Sequence, residues 1–227
     1  MAPSLGRVIR ASSTDFYFNS LRLIPANLLW GAGVLAVGLV WLVWPVGALL
    51  ASPLMALPTV GVFRVAAGIV RNEPDVSFRD VLAAYRHHAL PAVPLGLGFV
   101  AAGLILGTNF VTGLTQAEFG GWIIGTLAGW GLFIMWCLAL IGWPLLVDPF
   151  RVDRPARERL RLAGLLLIAY PVRFAALGVV AAVVVVVSTI LTAALLTIGV
   201  AFVALVACRY VYPAADRLES RLAGERR

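Results

Sequence analysis

The side chains able to do chemistry are few, and most of them are arginines. Arg64 is the most informative. It lies inside an apolar run, seven positions before Arg71, about 10 Å deeper along a helix. An arginine in hydrocarbon costs at least a few kcal/mol unless it snorkels or pairs. Two readings follow. Arg64 reaches the inner interface, or it lines a polar pocket with Asn27, which sits at similar depth early in the first apolar run. His87 and His88 are adjacent, and neighbours on a helix diverge by about 100°, which makes a poor chelate. With no acidic or cysteine cluster near them, no metal site is expected. Arg79 and Asp80 suit a local ion pair and a helix cap better than catalysis. Asp148 and Asp153 flank Pro149 and suit a cap or an ion pair with Arg151 or Arg154. No acidic residue falls at mid-membrane depth, where a proton relay or cation-driven carrier would need one. The sequence has no phosphate loop, nucleophile elbow or dinucleotide fingerprint. Neither an enzyme nor a cofactor is therefore expected.

The elements that hold these residues follow from composition. Of 227 residues, 61% are hydrophobic and 13% charged, and the mean hydropathy is +0.95. A soluble domain is nearer half apolar and a quarter charged. The composition excludes an ordinary soluble domain, a disordered chain and a disulfide scaffold. It leaves a protein whose solvent is mostly lipid. Cys137 and Cys208 both lie in apolar runs and suggest neither a disulfide nor a metal site. The eighteen basic residues are all arginine, as a GC-rich bacterial genome would encode.

Six membrane spans are expected, at 23–43, 46–70, 89–107, 122–147, 172–190 and 194–212. Trp41 and Trp44 close the first, where interfacial aromatics belong. The apolar stretch 172–212 would be about 60 Å long as one helix, twice a bilayer core, so it should fold back near Thr192–Thr197. This all-α, six-span bundle forms one domain. It puts every arginine on one side of the membrane: in the N-terminal segment, around 71–88, around 148–171 and in the tail. The positive-inside rule then places both termini in the cytoplasm of a bacterial plasma membrane. That arrangement explains the net charge of +7, so nucleic-acid binding is not expected.

Two cytoplasmic amphipathic helices are expected, at 76–88 and 153–168. In the first, Ser77 and Asp80 resemble a capping box, and Phe78, Val81, Leu82 and Tyr85 share a face. In the second, Leu160, Ala163, Gly164, Leu167 and Ile168 form the apolar stripe. Arg154, Arg157, Glu158 and Arg161 form the polar one. Such helices either lie against anionic lipid headgroups or dock a cytoplasmic partner. Each helix ends in an aromatic and then a proline, Tyr85 with Pro91 and Tyr170 with Pro171, which suggests a structural repeat of spans 2–3 and 4–5. Gly121, Gly125 and Gly129 have the small-xxx-small spacing of close helix contacts, within one chain or between copies in a homo-oligomer.

One stretch has a recognisable order. Asn27-Leu28-Leu29-Trp30 precedes a short turn and a proline-interrupted second span. Phe63-Arg64-Val65-Ala66-Ala67-Gly68-Ile69-Val70-Arg71-Asn72-Glu73 follows, then Phe78-Arg79-Asp80 and Tyr85. Here the chain resembles the YesL family of small bacterial membrane proteins, over roughly residues 15 to 215. Val81 stands where that family usually has an aromatic. The resemblance offers no catalytic residues. It implies association with carbohydrate uptake and degradation, including sugar transporters of the ATP-binding-cassette type. The expectation is a non-enzymatic accessory protein of solute uptake, contacting a permease or its ATPase. Arg64, Asn27, Arg79, Asp80 and Tyr85 are its candidate binding residues. Arg154, Arg157 and Arg161 are its candidate partner or lipid contacts. The alternative is an autonomous small-solute transporter or channel, which would need a polar path between spans.

Overall fold

A chain surrounded by lipid must satisfy its backbone internally, and helices do this within one segment. The computed structural model describes residues 4–74, 76–77, 79–116 and 118–224, and among these there is no strand. The elements are α1 (Leu5–Phe18), α2 (Ser20–Val43), α3 (Pro45–Val70), α4 (Arg79–Thr115), α5 (Phe119–Val147), α6 (Ala156–Ala169), α7 (Pro171–Ile190) and α8 (Thr192–Gly224). Helix α3 tightens into a 3₁₀ turn at Ser52–Met55. Helices α2, α3, α4, α5, α7 and α8 are long and apolar enough to cross a membrane, and each expected span falls within one of them.

Three of the six make the centre. The most apolar stretches of α3, α5 and α8 are 44%, 50% and 56% buried, against 17%, 11% and 22% for α2, α4 and α7. Val60, Val65 and Ala66 of α3 lie in one core with Ile141 and Leu145 of α5 and Ala204, Leu205 and Val211 of α8. Cys137 and Cys208 are buried free thiols. The apolar side chains left uncovered on α2, α4 and α7, such as Leu39, Leu97 and Val183, suit contact with lipid.

The fold differs from the sequence expectation in several places. Helix α1 was not anticipated; its Val8 is buried in the common core, and Asp15 pairs with Arg209 of α8. The segment around 79–88 is not a separate helix. It runs without a break into the third span, through Pro91 and Pro94. Proline removes one backbone bond and usually bends a membrane helix rather than ending it. At about 55 Å, α4 exceeds a bilayer core by several turns. By contrast, Tyr170 is non-helical (φ −137°, ψ 55°) and Pro171 starts a new helix, the position where its missing N–H costs nothing. The two units proposed as a repeat therefore differ at their aromatic-proline junctions.

The buried faces are also offset from the expected stripes. On α6 the buried residues are Arg159, Leu162, Ala163 and Leu166, while Ile168 is exposed. On the start of α4 they are Val81, Ala84 and His88, with Leu82 exposed; Phe78 lies outside the described residues. The last fold-back breaks at Leu191, just before the expected turn, and is followed by a π-helical stretch, Leu195–Gly199.

Candidate functional site at the arginine-rich end of the bundle

The helix ends converge on a buried charge network. Helix α3 stops with a left-handed residue, Asn72 (φ 56°). The Asn72 N–H donates to Ile69 and the Glu73 N–H to Gly68, a Schellman closure. This fixes Arg71 at the helix end. Asp148 follows α5 directly and accepts from the Phe150 N–H at 3.1 Å, capping the short turn that carries Arg151. Asp216 and Glu219 lie one turn apart on α8.

Asp148 accepts from Arg71 Nε at 3.1 Å and Nη2 at 2.8 Å, and also from Arg151. Asp216 accepts from Arg71 Nη1 at 3.0 Å and Arg151 Nη2 at 2.6 Å. Glu219 accepts from Arg151 Nη2 at 2.9 Å and from Arg154. The Arg71 guanidinium also lies 4.4 Å from the ring centres of both Phe150 and Tyr212. Asp148 is fully buried and Arg151 nearly so. Burial alone would lower the pKa of Arg71, but its bonds to Asp148 and Asp216 outweigh burial and raise it. Arg151 is raised likewise, through Glu219 and Asp216. Three guanidiniums facing three carboxylates balance in charge. Such a network locks the ends of helices α3 and α5 to α8.

Two further groups satisfy the end of α5, whose last carbonyls lack helical partners. Tyr212 Oη donates to the Pro144 carbonyl at 3.1 Å, and Arg159 Nη1 donates to the Leu146 carbonyl.

Arg64 and Asn27 take different partners. Arg64 bonds Glu73 through Nη1 at 2.7 Å and Nη2 at 3.3 Å. Gly68 makes room for this pair, since a Cβ there would lie 2.7 Å from Glu73 Oε2. Asn27 is fully buried between α2 and α8. Its Nδ2 donates to the Leu195 and Leu196 carbonyls at 3.0 and 2.7 Å, and its Oδ1 accepts from the Ala201 N–H at 2.7 Å. One side chain thus satisfies three backbone groups of the irregular turn, where the regular ladder is interrupted.

A polar cleft of about 440 Å³ lies beside the network. Arg64, Asp80, Ala83, His87, His88 and Arg159 are among its lining residues. Asp80 also accepts from the Ser77 N–H at 2.8 Å, and the Arg79 N–H donates to Ser77 Oγ at 3.3 Å. Arg159 is 7% exposed, and among the described residues its Nε has no hydrogen-bond partner. Burial lowers its pKa, opposed by the charge of Asp148.

Of the expected binding residues, the cleft brings together Arg64 and Asp80. Arg79 is exposed outside its lining, Tyr85 packs where a Gly61 Cβ would lie 2.9 Å from its ring, and Asn27 serves the turn of α8. Arg154 belongs to the network, Arg157 lines an apolar cavity, and Arg161 is exposed on α6. Among the described residues, no group of three His, Cys, Asp or Glu side chains could hold a metal ion. Sequence reading missed the roles of Arg71, Asp216, Glu219 and Arg159. One signal was present: Asp148 ends a helix, where the dipole disfavours an acid, so it needed cations.

The larger cavities between spans are apolar. One of about 720 Å³ is lined by Pro94, Leu95, Phe99, Ile134, Met135 and Leu160, among others. Another of about 620 Å³ lies among Phe110, Leu114, Trp130, Phe133 and Val179. Comparison of the chain with protein-family models, curated proteins and solved structures finds no match.

Proposed function

We propose that this chain is a non-enzymatic accessory protein of solute uptake, held in a bacterial plasma membrane with both termini cytoplasmic. In this reading it sits beside a permease and presents its arginine-rich end to the permease or its ATPase and to anionic lipid. The observation that carries it is the contrast between the two parts of the bundle. The large cavities between spans are lined mostly by apolar side chains, while the ion-pair network is gathered at the arginine-rich end of the bundle. A solute pathway needs polar groups along the spans, and the polar side chains Asn27, Thr59 and Trp136 are bonded within the bundle. A helix of a membrane partner suits the open apolar cavity, which reaches Ala156 and Arg157 at the charged end. Orientation rests on the placement of the arginines. Carbohydrate as the solute class rests on the likeness to YesL proteins.

The test is purification from the native membrane in mild detergent, with mass spectrometry of what accompanies the chain. A stoichiometric permease or ATPase is expected. A homogeneous chain without a partner, together with solute flux in liposomes, would overturn the accessory role in favour of autonomous transport.

A further inference from the structure

We propose that the cleft between α3, α4 and α6 is a binding site for a phosphate group, with Arg159 as its principal contact. Three observations converge. Arg159 is a guanidinium more than nine-tenths buried, and none of the ion pairs among the described residues involves it. Among the described residues its one hydrogen bond goes to the Leu146 carbonyl, and its buried Nε has no partner. A guanidinium has five N–H donors in a planar fork, which matches the paired oxygens of an oxyanion.

The surroundings select the class of anion. His87, His88 and Arg64 line the same cleft from α4 and α3 and supply further nitrogen donors around it. Donors arriving from separate helices suit a tetrahedral oxyanion better than a planar carboxylate. Arg64 is already neutralised by Glu73, and Asp80 is engaged by the Ser77 N–H. Arg159 is therefore the arginine of the lining that no carboxylate among the described residues pairs, while the Asp80 carboxylate stands in the same lining with the opposite charge. A volume of about 440 Å³ holds a phosphate with part of its ester. The cleft belongs to the arginine-rich end, so both a phospholipid headgroup and a soluble phosphate ester have this chemistry within reach.

The test uses the full chain in maltoside micelles, titrated separately with glycerol 3-phosphate and with phosphatidylglycerol, and read by thermal shift and native mass spectrometry. Binding of at least one is expected. Glycerol 3-phosphate binding assigns the site to soluble esters, and binding of phosphatidylglycerol alone assigns it to headgroups. Arg159→Gln should weaken binding by at least about tenfold, the loss of one charge-assisted contact. Arg86→Gln, exposed on α4 outside the lining of the cleft, should not. Ala83→Phe fills the cleft without removing a cation or the Leu146 bond, so it covers the case in which Arg159→Gln fails to fold. Absence of binding by both ligands overturns the proposal. So does binding that survives Ala83→Phe unchanged, because the anion would then sit on surface arginines.

Discussion

Asp148 shows how much one side chain can hold. It is fully buried and takes bonds from two guanidiniums and a backbone N–H. Removing one member of a buried ion pair strands the other charge, at a cost of about 3–5 kcal/mol. Asp148→Asn should therefore lower the unfolding free energy in micelles by about that amount. Arg71→Met added to it should recover part of the loss, because one stranded cation is gone. Additive losses would show that Arg71 and Asp148 are not coupled. Asn27 acts through a different mechanism. Asn27→Leu leaves two carbonyls and one N–H of the α8 turn unsatisfied, and should cost about 2 kcal/mol in the same assay. These residues were visible in the sequence as polar points in apolar runs, but their partners were not. Asn27 and Ala201 are far apart in the chain, and so are Arg71 and Asp216; only the fold brings them together.

At the level of elements, the spans were legible because hydrocarbon thickness fixes their length and apolar run. Their ends were less so. The break at Tyr170 and the continuity through Pro91 follow the same aromatic-then-proline order, and local sequence does not separate them. In α6 the buried face lies one residue out of phase with the apolar stripe, because Arg159 turns inward to the Leu146 carbonyl. The continuity of α4 has a direct test. Spin labels on Leu82 and Leu97, both exposed, should have backbones about 22 Å apart along one helix. A hinged interfacial helix would give a clearly shorter separation. The glycine spacing on α5 also finds its use within the chain. A Cβ on Gly113 of α4 would lie 2.6 Å from the Gly121 carbonyl oxygen and 2.7 Å from the Gly125 Cα. These are backbone atoms that no rotamer change can move. Gly113→Ala should lower the melting temperature while leaving the oligomeric state, measured by light scattering, unchanged.

At the scale of the whole molecule, six helices able to span put both termini on one side of a membrane, and the ion network gathers at that same end of the bundle. Arg71, Asp148, Arg151 and Asp216 come from α3, α8 and the turn after α5, so their end of the bundle is single and well defined. If the arginines obey the positive-inside rule, this end and the Arg159 cleft face the cytoplasm. Glu118, between α4 and α5, then faces outside. Single cysteines at Ser77, Glu118 and Ser220 distinguish the two orientations, and the native Cys137 and Cys208 are buried enough to stay silent. A membrane-impermeant maleimide should label Glu118→Cys in intact cells, and Ser77→Cys and Ser220→Cys only after permeabilisation. The reverse pattern would put the charge network and the cleft outside. There, cytoplasmic phosphate esters and a cytoplasmic ATPase could not reach them, so this labelling result bears on the partner and the ligand at once.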